Sequence, residues 1–239
     1  MFHSSCLKAD KRVYLIILFI FSFAIGAQAQ RWRIMPVGNS LTAGKDGVTG
    51  VEGDGFRRFL YESLQSGGLD FTFVGGRGNS PYVGHFQSGA KIEWFLPGGS
   101  MDIKTALDQY QPNIVLVHLG TNNLLSDIQG PYTQSNTSSY KLRQLINTIS
   151  ADGNVQYILL CKIVPRLDDN NLPMPQVKQY NKEIEAMFFA NQVSAKTVLV
   201  DMYSSLQPIR DVLPDKIHPT STGYQKMADE YARVIKALN

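Results

Sequence analysis

Cysteine is scarce in this chain of 239 residues, with Cys6 and Cys161 as its two examples. Cys6 falls in an N-terminal segment that we expect to be removed, which leaves Cys161 without a partner for an intrachain disulfide. A chain of this length can bury a core large enough to fold without one. Because Cys161 lies in the apolar run Tyr157–Val164, we expect a small buried side chain rather than a reactive thiol.

Neither sign of charge is in clear excess, with 23 Lys and Arg residues against 20 Asp and Glu residues. No cluster of basic residues marks a nucleic-acid surface, and the adjacent Arg57 and Arg58 are expected on the solvated face of a helix. No grouping of His, Cys, Asp and Glu has the spacing of metal ligands. The sequence therefore predicts no nucleic-acid partner, no metal and no cofactor.

One long apolar run occurs, Val13–Gly26, and it is shorter than the roughly 20 residues that a membrane-spanning helix needs. A basic segment precedes this run and Ala27–Ala29 follows it, which is the order of a secretory signal peptide. We therefore predict a signal peptide over residues 1–29 and a single domain over residues 30–239. The predicted location is secreted, in the periplasm or the extracellular medium. An uncleaved membrane anchor is the alternative.

After this segment, short apolar runs alternate with longer amphipathic stretches. The runs are Trp32–Val37, Phe71–Val74, Ile114–Leu119, Tyr157–Val164 and Val198–Met202. The amphipathic stretches are Phe56–Leu64, Ile103–Tyr110, Tyr140–Ile149, Gln176–Phe189 and Thr222–Leu238. Continuous apolar runs are typical of parallel strands that helices cover on both faces. The pattern predicts a three-layer α/β/α fold with a mostly parallel sheet of five strands.

Ligands of such sheets bind at the carboxyl ends of the strands, so the residues that follow each run are of interest. Ser40 follows the first run, Gly89 lies in the glycine-rich segment after the second, and Asn122 follows the third. Asp215 and His218 precede the last helical stretch. A hydroxyl, an imidazole with an acid partner and two hydrogen-bond donors are the groups that acyl transfer requires.

Each of these motifs taken alone also has a structural explanation. Ser40 could cap a helix, Asp215 and His218 could form a turn, and Asn122 could end a strand. The stretch around Ser40 lacks the G-x-S-x-G pattern, which disfavours an α/β-hydrolase. The combination of the motifs, in this order along the chain, is more specific than any one of them.

The stretches Gly38–Leu41, Gly120–Asn122 and Asp215–Pro219 together resemble the SGNH hydrolases, also called GDSL esterases or lipases. Within that superfamily, Arg33–Gly38 and Val117–Asn122 are similar to carbohydrate esterase family 3, the acetyl xylan esterases. The resemblance implies a flavodoxin-like fold, no metal and an acetylated sugar as substrate.

The resemblance also implies a role for each matching residue. Ser40 would be the nucleophile, His218 the general base and Asp215 the acid that orients it. The backbone N–H groups of Ser40 and Gly89, with the side-chain amide of Asn122, would form the oxyanion hole.

This sequence departs from the family pattern at three positions. Asn39 stands where the family usually has Asp, and His85 and Phe86 replace an acidic residue and a glycine. The change at Asn39 concerns the hydrogen bonds of the turn at Ser40. The changes at His85 and Phe86 concern the contacts to the sugar. Two further glycines of the same segment compete for the oxyanion-hole position, namely Gly84 and Gly98.

Four further features are candidates for a role at the site or on the surface. His118, inside an apolar run, is expected to be a hydrogen-bonded core residue, although contact with the site is an alternative. His85 could contact substrate. Trp94 and Phe95 are expected to pack in the core, with a wall for a sugar ring as the alternative. Asn136-Thr-Ser is an N-glycosylation pattern that matters only in an organism that glycosylates.

The function that we predict is a secreted serine esterase that removes small acyl groups, acetyl above all, from carbohydrate. The expected partner is an acylated carbohydrate, with no membrane span after signal cleavage and a monomeric state. The alternatives are a lysophospholipase or short-chain lipase with the same triad, and a carbohydrate-binding protein without activity.

Overall fold

A parallel sheet runs through the computed structural model, which describes residues 31–212 and 214–238. The strands are β1 (Trp32–Gly38), β2 (Phe71–Phe73), β3 (His85–Phe86), β4 (Ile114–His118), β5 (Tyr157–Lys162) and β6 (Thr197–Asp201). Their order is β2-β1-β4-β5-β6, and β3 pairs with β1 beyond the end of β2. Each of the five predicted runs overlaps a strand, and the two-residue β3 is additional. The predicted signal peptide lies outside the described residues.

Helices cover both faces of this sheet. They are α1 (Ser40–Ala43), α2 (Phe56–Ser66), α3 (Ile103–Tyr110), α4 (Ser138–Ser150), α5 (Pro175–Phe189), α6 (Met202–Ser205), α7 (Pro208–Val212) and α8 (Ser221–Lys236). The five predicted helical stretches correspond to α2, α3, α4, α5 and α8. In the described residues no helix is long and apolar enough to cross a membrane.

Alternate side chains of the strands enter two separate hydrophobic cores. Ile34 and Leu116 pack with α2 and α8 on one face, whereas Met35 and Val117 pack with α3, α4 and α5 on the other. All four side chains are fully buried. Burial on both faces explains why the runs are continuously apolar, and it confirms the predicted three-layer α/β arrangement.

The order of the strands fixes where a site can form. From β1 the chain goes to β2 on one side of it, and later to β4 on the other side. Between β1 and β4 the helices that follow the strands leave toward opposite faces, which opens a crevice at the carboxyl ends of the two strands. Gly38 and His118 are paired at this edge, so the chain segments that follow them lie next to each other.

The expectation that Arg57 lies on a solvated helix face is wrong. Its side chain is buried, and its guanidinium donates to the carbonyl oxygens of Thr42, Ala43 and Gly53 at 2.8 to 3.0 Å. The guanidinium also stacks over the Phe86 ring at 4.2 Å. Burial lowers the pKa of Arg57 to about 10. Arg57 thus ties the start of α2 to the end of α1, while its neighbour in the pair remains exposed.

Cys161 is buried in the core of the α2 and α8 face, with its Sγ 3.0 Å from the hydroxyl of Tyr231. Burial raises the pKa of the Cys161 thiol above its ordinary value. These observations agree with the expected core residue.

Candidate active site

Ser40 lies where β1 turns sharply into α1. Helix α1 begins at Ser40, and the side-chain Oδ1 of Asn39 accepts a hydrogen bond of 3.1 Å from the backbone N–H of Leu41. Asn39 is fully buried and Ser40 is nearly so. A helix cap of this kind fixes the backbone around the residue that follows it. The Ser40 hydroxyl is thereby held at the carboxyl edge of the sheet.

The side chains of Ser40, His218 and Asp215 form a continuous hydrogen-bonded chain. Ser40 Oγ lies 2.8 Å from His218 Nε2, and His218 Nδ1 lies 2.6 Å from Asp215 Oδ2. An ionised carboxylate only accepts hydrogen bonds, so Nδ1 carries the proton and Nε2 is left to accept from the serine O–H. Such an arrangement can withdraw the proton of the hydroxyl as the oxygen attacks a carbonyl.

The loop that carries Asp215 is itself tightly fixed. Asp215 Oδ1 accepts hydrogen bonds from the backbone N–H groups of Ile217 at 2.9 Å and His218 at 2.8 Å. One carboxylate oxygen therefore shapes the turn while the other contacts the imidazole. The spacing of three residues between acid and histidine allows both contacts.

A second loop, residues 44–55, packs against His218 and was not singled out by the sequence. The backbone N–H of Gly47 donates to the carbonyl oxygen of Pro219 at 3.2 Å. A Cβ at Gly47 would lie 2.2 Å from the carbonyl oxygen of His218, so only glycine allows this close approach. The high glycine content of the loop, with five glycines between residues 44 and 55, was the available signal.

Gly89 and Asn122 lie together. Asn122 Nδ2 donates to the carbonyl oxygen of Ala90, the residue after Gly89, at 2.9 Å. A side-chain amide has two N–H donors, so the second remains for a ligand. Gly89 has a positive φ of 78°, which other residues rarely adopt. Its loop follows β3, whose Phe86 pairs with Gly38 just before Ser40.

The two competing glycines are engaged elsewhere. Gly84 forms a pair of backbone hydrogen bonds with Arg77, at 2.9 and 3.0 Å. The N–H of Gly98 donates to the carboxylate of Asp102 at 2.7 Å, in the turn before α3. Among the three, Gly89 is therefore the glycine whose loop contacts Asn122.

A polar network that the sequence analysis missed lies directly behind Asn122. Asn123 is fully buried, its Oδ1 accepts from the N–H of Ile92, and its Nδ2 donates to Glu93 at 2.9 Å and Asp127 at 2.7 Å. Lys141 of α4 donates to Asp127 at 2.7 Å. Burial by itself raises the pKa of Asp127, but the hydrogen bonds from Lys141 and Asn123 outweigh it, so that the pKa lies below its ordinary value.

The two other histidines within residues 31–212 have defined places. His118 is fully buried and its Nε2 accepts from the N–H of Val164 at 3.2 Å, as expected for a core residue. Burial lowers the pKa of His118 to about 4. His85 is half-buried, and its Nε2 donates to the carbonyl oxygen of Met101 at 2.8 Å. Phe95 is buried in the core and Trp94 packs against it.

A polar cavity of about 640 Å³ adjoins the loop of Gly89. Its polar lining includes Glu52, Asp54, Arg77, Asn79, Gln87 and Ser88. The hydroxyl of Ser88, next to Gly89, donates to the carboxylate of Glu52 and so joins the loop after β3 to the loop that packs on His218. The cavity offers both donors and acceptors, and a volume in the usual range for small-molecule sites.

A family model decides the broader assignment, since residues 37–226 match the model of the GDSL-like lipase/acylhydrolase family. The chain belongs to this family. Membership indicates a carboxylic ester hydrolase, and the matched residues include the three residues of the hydrogen-bonded chain as well as Gly89 and Asn122.

Relatives of this GDSL family member agree with the assignment. A multidomain esterase from Ruminococcus flavefaciens is 25% identical, with 85% of this chain aligned to 28% of that protein, so this chain spans less than a third of the relative. The family 3 carbohydrate esterase of Clostridium thermocellum is similar in structure, with a TM-score of 0.66 and 26% identity over 87% of this chain and 99% of that one.

A carbohydrate esterase of family 3 from Talaromyces cellulolyticus shares the fold, with a TM-score of 0.69 and 19% identity over 87% of this chain and 97% of that chain. At this identity the likeness concerns the fold alone. The GDSL chain and these structures therefore share the same α/β fold.

Proposed function

We propose that this chain is a secreted serine esterase that removes small acyl groups, acetyl most readily, from carbohydrate. The observation that carries the proposal is the hydrogen-bonded chain from Ser40 through His218 to Asp215, with contacts of 2.8 and 2.6 Å. A hydroxyl, an imidazole and a carboxylate in this sequence of contacts are the groups of a catalytic triad.

The reaction would proceed in two halves. Ser40 Oγ attacks the ester carbonyl carbon while His218 Nε2 takes the hydroxyl proton, and Asp215 stabilises the imidazolium that forms. When the C–O bond of the ester breaks, His218 returns this proton to the leaving sugar oxygen. Water then gives a proton to His218 and attacks the acyl group, which leaves as the free acid and restores the Ser40 hydroxyl.

The negative charge that develops on the carbonyl oxygen needs donors that are already in place. We assign this role to the backbone N–H groups of Ser40 and Gly89 and to the free N–H of the Asn122 amide. The contact between Asn122 and Ala90 supports the assignment, because it holds the amide and the glycine loop together. Loss of one such donor costs on the order of 100-fold to 1,000-fold in kcat in other serine hydrolases.

The choice of a carbohydrate as the group that carries the ester rests on two observations. The solved structure similar to this chain at 26% identity is a family 3 carbohydrate esterase, and the polar cavity beside Gly89 has the donors and acceptors that sugar hydroxyl groups require. We place the sugar in this cavity and the acyl group at Ser40. Secretion rests on the signal-peptide pattern of residues 1–29.

The first experiment measures the hydrolysis of p-nitrophenyl esters by the chain that begins at Gln30. We expect turnover that is highest for acetate and falls steeply with acyl length. Ser40→Ala should lower kcat by at least about 1,000-fold, because the acyl-enzyme can no longer form. Ser66→Ala, at an exposed serine that ends α2, is the matched control and should retain full activity.

Near-normal turnover by a folded Ser40→Ala variant would overturn the mechanism. Acetylated xylan and a lysophospholipid, assayed side by side, distinguish the carbohydrate esterase from the lysophospholipase. A native chain that hydrolyses no ester and does not react with a fluorophosphonate would instead be a binding protein. Sequencing of the secreted product tests cleavage before Gln30.

A further inference from the structure

Arg166 lies between two of the loops that form the proposed active site. It follows β5 at the carboxyl edge of the sheet, and its Nη1 donates to the carbonyl oxygen of Thr121, the neighbour of Asn122, at 3.4 Å. The next residue, Leu167, donates its backbone N–H to the carbonyl oxygen of Lys216, beside Asp215, at 2.9 Å. The guanidinium is thus anchored at the rim on which substrate would lie.

The positive charge of Arg166 is not neutralised within the part of the chain that the structure describes, where no carboxylate forms an ion pair with it. The acids of its own segment have other partners. Asp168 accepts the backbone N–H groups of Asn170 and Leu172, and Asp169 faces the ammonium of Lys216 at 3.8 Å.

An unpaired charge in this position reduces the stability of the fold. Arg166 is half-buried, and burial is the cause that lowers its pKa below the ordinary value. A charge that loses part of its water and gains only a neutral carbonyl partner costs free energy, part of which a ligand of opposite charge recovers. The buried Arg57 contrasts with it, because three backbone carbonyl oxygens accept its hydrogen bonds.

We propose that Arg166 binds a carboxylate of the substrate, so that the preferred ester lies on a glycan that carries a uronic acid. A guanidinium presents a planar fork of donors that matches a carboxylate with two parallel hydrogen bonds. Arg166 does not line the polar cavity in which the acylated sugar is placed, so the uronic acid is a neighbouring unit or branch of the glycan that reaches the loop of Thr121. The inference rests on the proposed function for the position of the acylated sugar, and it names the class of glycan.

Binding, measured without turnover, tests the inference directly. The ligand is an acetylated xylo-oligosaccharide with a glucuronic acid branch, and the reference ligand is the same oligosaccharide after methyl esterification of that carboxyl group. Calorimetry with the Ser40→Ala chain should give a Kd for the acidic ligand about tenfold lower than for the methyl ester. This preference should decrease as salt screens the charges.

Arg166→Gln keeps a donor for Thr121 but removes the charge, so the ratio of the two Kd values should fall to about one. Arg166→Lys should restore part of the preference, which a merely structural role of the side chain would not predict. Arg33→Gln is the control, because Arg33 also donates to backbone carbonyl oxygens but lies near the amino end of β1. It should leave the ratio unchanged.

Equal affinity of the Ser40→Ala chain for both ligands would overturn the inference, as would an equal loss of affinity for both ligands in Arg166→Gln. Neither result bears on the esterase activity, which the hydrolysis of p-nitrophenyl acetate tests separately. Absence of Ser40-dependent turnover with that ester would overturn the proposed function, while the binding ratio would still decide the role of Arg166.

Discussion

The amide of Asn39 supplies what the turn at Ser40 requires, although the family usually has a carboxylate there. The cap of α1 needs one acceptor, and the Oδ1 of an amide provides it as a carboxylate would. In the described residues the Nδ2 of Asn39 has no hydrogen-bond partner. The substitution therefore preserves the turn and removes a negative charge from the immediate neighbourhood of the proposed nucleophile.

Asn39→Ala removes this cap, and we expect the free energy of unfolding to fall by about 1 kcal/mol. We also expect kcat to fall, because the backbone that positions Ser40 loses its support. Urea unfolding and p-nitrophenyl acetate kinetics measure the two effects.

Asp102→Ala removes the cap of α3, where the carboxylate accepts the N–H groups of Lys104 at 2.8 Å and Gly98 at 2.7 Å. This control should lose at least as much stability as Asn39→Ala and keep its kcat. If Asn39→Ala also keeps its kcat, Asn39 has no part in positioning Ser40.

At the scale of elements, α4 is connected to the loop of Asn122 through ionic hydrogen bonds. Lys141 of α4 contacts Asp127, which in turn contacts Asn123. The folded-state pKa of Asp127 is lowered, so its carboxylate contributes stability above the unfolded pKa of about 3.9. That contribution is lost as the pH falls through the folded-state pKa.

Asp127→Asn should therefore lower the free energy of unfolding at pH 7 by about 2 kcal/mol, the contribution of a hydrogen bond between charged groups. The difference from the native chain should shrink toward zero in acid, once the native carboxyl group is protonated. Urea unfolding over a range of pH measures this dependence.

Asp70→Asn, in an exposed pair with Arg31 at 3.4 Å, serves as control and should change stability by less than about 1 kcal/mol at any pH. If the free energy of unfolding lost in Asp127→Asn did not depend on pH, the stabilisation by Asp127 would not be ionic in origin.

The stability of the whole molecule depends on two hydrophobic cores, one on each face of the sheet. Leu60 of α2 is fully buried against β-strand and α8 side chains, whereas Leu172 is 60% exposed. Leu60→Ala should lower the free energy of unfolding by about 3 kcal/mol, since it leaves a cavity in a close-packed core. Leu172→Ala, the same change in chemistry, should stay within about 0.5 kcal/mol.

Chemical unfolding of both variants measures the difference. We expect the Leu60→Ala chain that remains folded to keep its esterase activity per molecule, because the loops at the sheet edge are unaffected. Comparable losses of unfolding free energy in Leu60→Ala and Leu172→Ala would contradict the assignment of Leu60 to the core.

The α/β class and five of the six strands in the described residues could be predicted from the sequence alone, because strands covered on both faces are continuously apolar. The sequence also identified Ser40, Asn122, Asp215 and His218 as candidates, since the order of short motifs along the chain is readable without coordinates. Apolar runs and short motifs are formed by residues that are close together in the chain, so both can be recognised from the sequence without a structure.

Tertiary structure decided the features that depend on residues distant in sequence. The two-residue strand β3 pairs with β1, although two residues are too few to show a periodic pattern in the sequence. Arg57 is buried and donates to backbone carbonyl oxygens, and no sequence motif predicts these contacts. The tertiary structure also showed that, of the three glycines, Gly89 is the one whose loop contacts Asn122, and it brought Gly47 against His218. These contacts are set by how separate segments pack, and packing is a property of the folded chain alone.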